Sequence, residues 1–87
     1  LNPRAVAELK KLPPRITRKI KQSLKLLKKD PTRARSGVDV KLLVGTSHPR
    51  LYRLRVGEYR VIFWVDEKRR EVLVERIVPR KRAYIGI

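Results

Sequence analysis

Arg53, Arg55, Arg60, Arg80 and Tyr84 are the residues of this 87-residue chain whose types and spacing suit chemistry on a phosphate. The first three lie in LYRLRVGEYRVIFWV, residues 51–65, whose alternation of apolar and polar positions predicts a β-hairpin. Gly57-Glu58 fits a two-residue turn with glycine at its first central position. Val56 then pairs with Tyr59, Leu54 with Val61 and Tyr52 with Phe63, which makes one apolar face. The other face sets Arg55 opposite Arg60, Arg53 opposite Ile62 and Leu51 opposite Trp64. Like charges placed directly opposite cost a few tenths to ~1 kcal/mol, and a ligand anion seated over them removes that cost.

Guanidinium groups pair with phosphate oxygens bidentately and keep their charge. Cleavage of RNA by its own 2′-hydroxyl needs that hydroxyl aligned with phosphorus and the charge on the equatorial oxygens stabilised. Arginines supply the second requirement without a metal. The tail PRKRAYIGI adds Arg80, Lys81, Arg82 and Tyr84. Positive charge beside a tyrosine favours its phenolate, which can accept a proton, and the ring also suits stacking on an unpaired base.

Blander readings stand beside these. A basic strand face also serves phosphate or acidic-partner binding without catalysis. Tyr84 also reads as a packed tail residue, and His48, in a turn beside Pro49, as ordinary surface. On these grounds alone the chain is a basic α+β domain that binds RNA or an acidic partner.

The elements that position the arginines are two helices and four strands. Asn2 is the expected N-cap and Pro3 the first residue of a helix over 3–12, with Ala5, Leu9 and Leu12 on one face and Val6 beside them. Pro13-Pro14 ends it and starts a second helix over 14–29. There Ile16, Ile20, Leu24 and Leu27 form an apolar stripe against a basic remainder, which is either a phosphate grip or a solvated surface. Strands are expected at 38–44, 51–56, 59–65 and 71–78, followed by a functional tail at 79–87. If Val72 faces Phe63 and Val74 faces Val61, Glu75 falls beside Arg60 as a cross-strand salt bridge. Pro79 stops the ladder and lets the tail fold back over the arginine face.

Composition narrows the partners. With 24 Lys+Arg against 8 Asp+Glu, a net charge of +16 favours a polyanion or an acidic protein. No apolar run reaches the roughly 20 residues of a membrane-spanning helix, and no signal-peptide pattern is present, so a cytoplasmic protein with no membrane partner is expected. Without cysteine and with one histidine, metal-free and cofactor-free chemistry is expected. Methionine is absent, and residue 1 is not the expected natural start.

The stretches KLLVG, YRLRVGEYRVIF, VERIV and PRKRAY, with the LKKLPP helix junction, resemble the RelE/ParE toxin superfamily, on its RelE side, over nearly the whole chain. The resemblance implies an α+β fold of order β-α-α-β-β-β, with the αα-hairpin on one face of a small, mainly antiparallel sheet and the RNA site on the other. The first of those strands is expected ahead of Asn2. It also implies a type II toxin that cuts mRNA in the ribosomal A site and is held inactive by an acidic RelB-like antitoxin in a heterotetrameric complex. Arg60 and Arg80 would contact the reacting phosphate, with Arg82 the alternative to Arg80 in the tail, Tyr84 would transfer a proton or stack, and Arg53, Arg55, Lys81 and Arg82 would bind RNA. Arginine stands at 53 and 55 where relatives often have lysine, and Pro79 where many have histidine, so the implied mechanism is electrostatic. The alternatives are a ParE-like inhibitor of DNA gyrase and a non-catalytic member that only binds its antitoxin.

Overall fold

The protein is described by a computed structural model over residues 2–82, with the side chain of Arg82 excepted. Asn2 caps helix α1 (Pro3–Lys10) by accepting the Ala5 N–H at 2.8 Å on its side-chain oxygen, and Pro3 occupies the first turn. Pro13 precedes α2 (Pro14–Leu27), and its carbonyl accepts the N–H groups of Ile16 and Thr17. Each helix ends two residues short of its sequence-based bound. At the end of α2 the reason is Arg35, whose guanidinium donates to the carbonyl oxygens of Leu26, Asp30 and Arg33 at 2.6–2.7 Å. The bond to Leu26 satisfies a helix-end carbonyl that has no partner within the helix, and the other two hold the loop that follows.

Four strands follow, β1 (Asp39–Leu42), β2 (Tyr52–Val56), β3 (Tyr59–Asp66) and β4 (Glu71–Pro79), in an antiparallel sheet of order β1-β2-β3-β4. The helices pack on one face. Ala5, Ile20 and Leu27 meet Val40, Leu54, Val56, Val61, Phe63, Val74 and Ile77 in a single core, with Leu9, Leu12, Ile16 and Leu24 packed against it. The apolar stripes of both helices therefore fill the role that their spacing requires.

The β2–β3 hairpin has the predicted register throughout the ladder: Tyr52 with Phe63, Arg53 with Ile62, Leu54 with Val61, Arg55 with Arg60 and Val56 with Tyr59. Gly57 adopts a positive φ of 58° at the turn, a conformation glycine reaches without a Cβ penalty. Leu51 lies just outside β2 and outside the ladder with Trp64.

The register of β4 differs from the sequence-based expectation. Val74 faces Phe63 and Val72 faces Val65, two positions from the predicted pairs, and a bulge at Ile62/Phe63 puts Arg76 opposite Ile62 and Val78 opposite Arg60. Two things cause this. Strand β3 runs on to Asp66, which pairs with Glu71, and Arg70 closes the intervening turn with φ 53°. The bulge then adds one unpaired residue to β4 and reverses the alternation beyond it. Glu75 is that residue, so the expected Glu75–Arg60 salt bridge is absent.

The outer edge of β4 is partly covered by α1 and its cap. The Asn2 N–H donates to the Val74 carbonyl at 3.1 Å. Glu8 accepts the Ile77 N–H at 2.9 Å and pairs with the Arg76 guanidinium, its Oε2 2.9 Å from Nη2. Glu8→Ala orphans a strand N–H and a half-buried cation, so it is expected to cost about 1.5–3 kcal/mol. Urea unfolding checks this: the midpoint falls while the slope stays as in the parent.

Candidate nucleic-acid interface

The sheet face turned away from the helices is built in rows. Asp39, Arg55, Arg60 and Val78 form the row nearest the β2–β3 turn; Lys41, Arg53, Ile62 and Arg76 form the next. Cations thus recur on every strand of this face. Arg53 is tied to Asp39, its Nη1 lying 3.1 Å from Oδ1 and 3.3 Å from the backbone oxygen. Arg55 is exposed.

Arg60 is buried, with 8% of its surface accessible, and its Nη1 donates to the carbonyl oxygens of Gly57 and Tyr59, both at 3.0 Å. Burial of a cation demands such hydrogen bonds. They also relieve the arginine pair: Arg60 curls toward the turn while Arg55 reaches into solvent. Arg60 accordingly braces the hairpin in addition to facing the candidate site.

Beyond Pro79 the chain enters a short 3-10 turn, Arg80–Arg82, anchored by the Arg80 N–H donating to the Glu58 carbonyl at 2.8 Å. That bond brings the exposed Arg80 and Lys81 to the hairpin end of the sheet, the end that carries Arg55 and Arg60. Arg82 belongs to the same turn. Tyr84 lies outside the described residues.

Two cationic members of the face, Lys41 and Arg76, are missing from the sequence-based site. Lys41 was within reach, because Val40 points into the core and its neighbour must point out. Arg76 was not, because only the bulge turns it to this face. Lys41 and Arg53 border an open cleft of about 360 Å³ that is also lined by residues 42–46. Trp64, on the same face, donates its indole N–H to Glu75 Oε1 at 2.7 Å, and Asn2 Nδ2 donates to Oε2 at 2.6 Å.

An αα-hairpin on one face of a four-stranded antiparallel sheet, with a cationic opposite face, defines an α+β protein of RelE-like fold. The chain belongs to the RelE/ParE superfamily of type II toxin-antitoxin toxins: residues 1–84 match the family described as ParE toxin of type II toxin-antitoxin system, parDE. A protein of Methanocaldococcus jannaschii named as a candidate toxin, RelE1, is 32% identical over 84 residues, 97% of this chain and 90% of its own length. The crystal structure of the archaeal RelE-RelB complex from Pyrococcus horikoshii OT3 matches with TM-score 0.76 and 34% identity, over 94% of this chain and 92% of that one. The RelB-RelE antitoxin-toxin complex from Methanococcus jannaschii matches with TM-score 0.71 and 26% identity, over 94% and 91%.

Proposed function

We propose that this toxin is a ribosome-dependent endoribonuclease that cuts mRNA in the A site by attack of the substrate's own 2′-hydroxyl. The observation that carries the reading is the gathering of Arg55, Arg60 and Arg80 at one end of the helix-free sheet face, where the Arg80–Glu58 backbone bond holds Arg80 against the hairpin. Three guanidinium-bearing residues there match the charge that builds on the equatorial oxygens of the transition state. Arg53, Lys41, Lys81 and Arg82 extend the field along the RNA. Tyr84 serves as proton acceptor or stacking platform.

The partner we propose is an acidic RelB-like antitoxin that masks this cationic face. Complementary fields speed such an association. The two similar toxin structures are both of complexes with RelB proteins, which supports this assignment.

Gyrase inhibition is the second reading, favoured by the ParE description of the matching family. A pair of assays separates the two. In a cell-free translation mixture the purified toxin is expected to arrest protein synthesis, whereas gyrase supercoiling of plasmid DNA proceeds unaffected. Arrest of supercoiling with undisturbed translation would reverse the assignment.

Arg80→Ala is expected to lower the cleavage rate about 10²-fold, the loss typical of one charge-stabilising donor. Because Arg80 is exposed and its structural bond uses the backbone, the unfolding free energy should stay within about 0.5 kcal/mol of the parent. Single-turnover cleavage and urea unfolding on the same preparation check both halves.

A further inference from the structure

The sheet face carries a second cleft, which the phosphate chemistry does not use. Its volume is about 420 Å³, with Pro49, Leu51 and Ile62 on its apolar side and Arg4, Glu75 and Arg76 on its polar side. Ile62 lies two residues along β3 from Arg60 on the same face, about 6–7 Å by strand geometry. That places the cleft beside a nucleotide whose phosphate sits over Arg55 and Arg60.

Glu75 gives the cleft its chemistry. As the bulged residue it leaves the ladder, and two neutral donors pin its carboxylate: Trp64 Nε1 on Oε1 at 2.7 Å and Asn2 Nδ2 on Oε2 at 2.6 Å. Each oxygen retains further acceptor capacity. A fixed carboxylate repels phosphate and acidic peptide alike, so the part of a polyanion that suits the Glu75 side of the cleft is the uncharged base. Among base edges it matches an exocyclic amino group, as acidic side chains do when they accept from cytosine N4. Leu51 and Pro49 offer apolar contact to the ring face, with the buried Ile62 forming the floor beneath them. Arg76, with its guanidinium held in place by Glu8, adds a planar surface for stacking.

We infer that this cleft holds an unpaired, amino-bearing nucleobase of the bound RNA, with Glu75 as the acceptor that selects cytosine over uracil. The inference rests on the reading of the arginine face as an RNA site. Uracil presents a carbonyl oxygen where cytosine presents its amino group, so the carboxylate repels one and binds the other.

The test is fluorescence anisotropy of the full chain with labelled single-stranded oligocytidylate and oligouridylate at one ionic strength. Oligocytidylate should bind about tenfold tighter, the discrimination expected of one good base contact. Glu75→Gln, whose amide both donates and accepts, should bring the ratio to within about twofold, while Arg55→Gln weakens both oligonucleotides equally. Leu51→Ala leaves the Glu75 bonds in place and should lower oligocytidylate affinity several-fold. Equal binding of the two oligonucleotides by the parent protein overturns the base cleft and leaves the RNA face standing. So does a ratio that survives Glu75→Gln with native Trp64 emission, or an oligocytidylate affinity untouched by Leu51→Ala. Failure of the parent to bind either oligonucleotide also overturns the base cleft, while cleavage on programmed ribosomes tests the arginine-face reading separately.

Discussion

Arg60→Lys is expected to lower A-site cleavage about 10²- to 10³-fold while the protein stays folded. Lysine keeps the positive charge but replaces a planar fork of five N–H donors with a compact ammonium. In the parent protein a single guanidinium nitrogen, Nη1, holds the carbonyl oxygens of both Gly57 and Tyr59. That hold fixes the orientation of the group while its other nitrogens belong to the same rigid plane. An ammonium cannot keep both turn carbonyls and also present a planar pair of donors to a phosphate. Arg60→Ala should show the same rate loss plus a stability loss of about 1–3 kcal/mol, because two turn carbonyls lose their donor in a buried setting. Single-turnover cleavage on programmed ribosomes checks the rate, and urea unfolding the stability. A rate within threefold of the parent for Arg60→Lys would leave Arg60 as a turn brace alone.

Phe63→Ala is expected to cost about 3–5 kcal/mol. The ring is fully buried, stacks on Tyr52 with centroids 5.6 Å apart and faces Val74 across β3–β4. Domains of this size hold roughly 5–15 kcal/mol in total, so the variant sits near the edge of folding. The loss follows from position: Phe63 stands where both hairpins and the helix layer meet, so the space it leaves cannot close by moving one element. Urea unfolding followed by Trp64 fluorescence measures it. A loss below about 1 kcal/mol would mean that the core repacks around the gap, contrary to the single close-packed core described above.

The part of the fold legible in the sequence is the part that obeys a fixed period. Residues 52–60 alternate apolar and polar about the Gly57-Glu58 turn, so the hairpin register followed from side-chain parity and turn chemistry together. The helix stripes followed from 3.6-residue spacing in the same way. Strand β4 did not, because its parity is broken by a bulge that no residue type announces and its turn uses Arg70, not glycine, at positive φ. One displaced residue moved Glu75 from Arg60 to Trp64 and brought Arg76 onto the cationic face.

The site was legible to a similar depth. The opposition of Arg55 and Arg60 was readable from the hairpin alone. That Arg60 would be buried against its own turn, or that Arg35 would cap α2, depends on backbone carbonyls brought close by folding. Charge pattern carries no information on which carbonyl a guanidinium reaches. The clustering of Arg80 with the hairpin likewise depends on long-range pairing, the β3–β4 ladder up to Tyr59 and Pro79 and the Arg80 bond to Glu58 that continues it.

The most direct test of the account is to add the purified protein to ribosomes carrying a defined mRNA with a known codon in the A site and to map new 5′ ends by primer extension. The account predicts cuts confined to the A-site codon, absent when the same RNA is free, and absent again with Arg60→Lys. Intact mRNA on ribosomes treated with folded parent protein would contradict it.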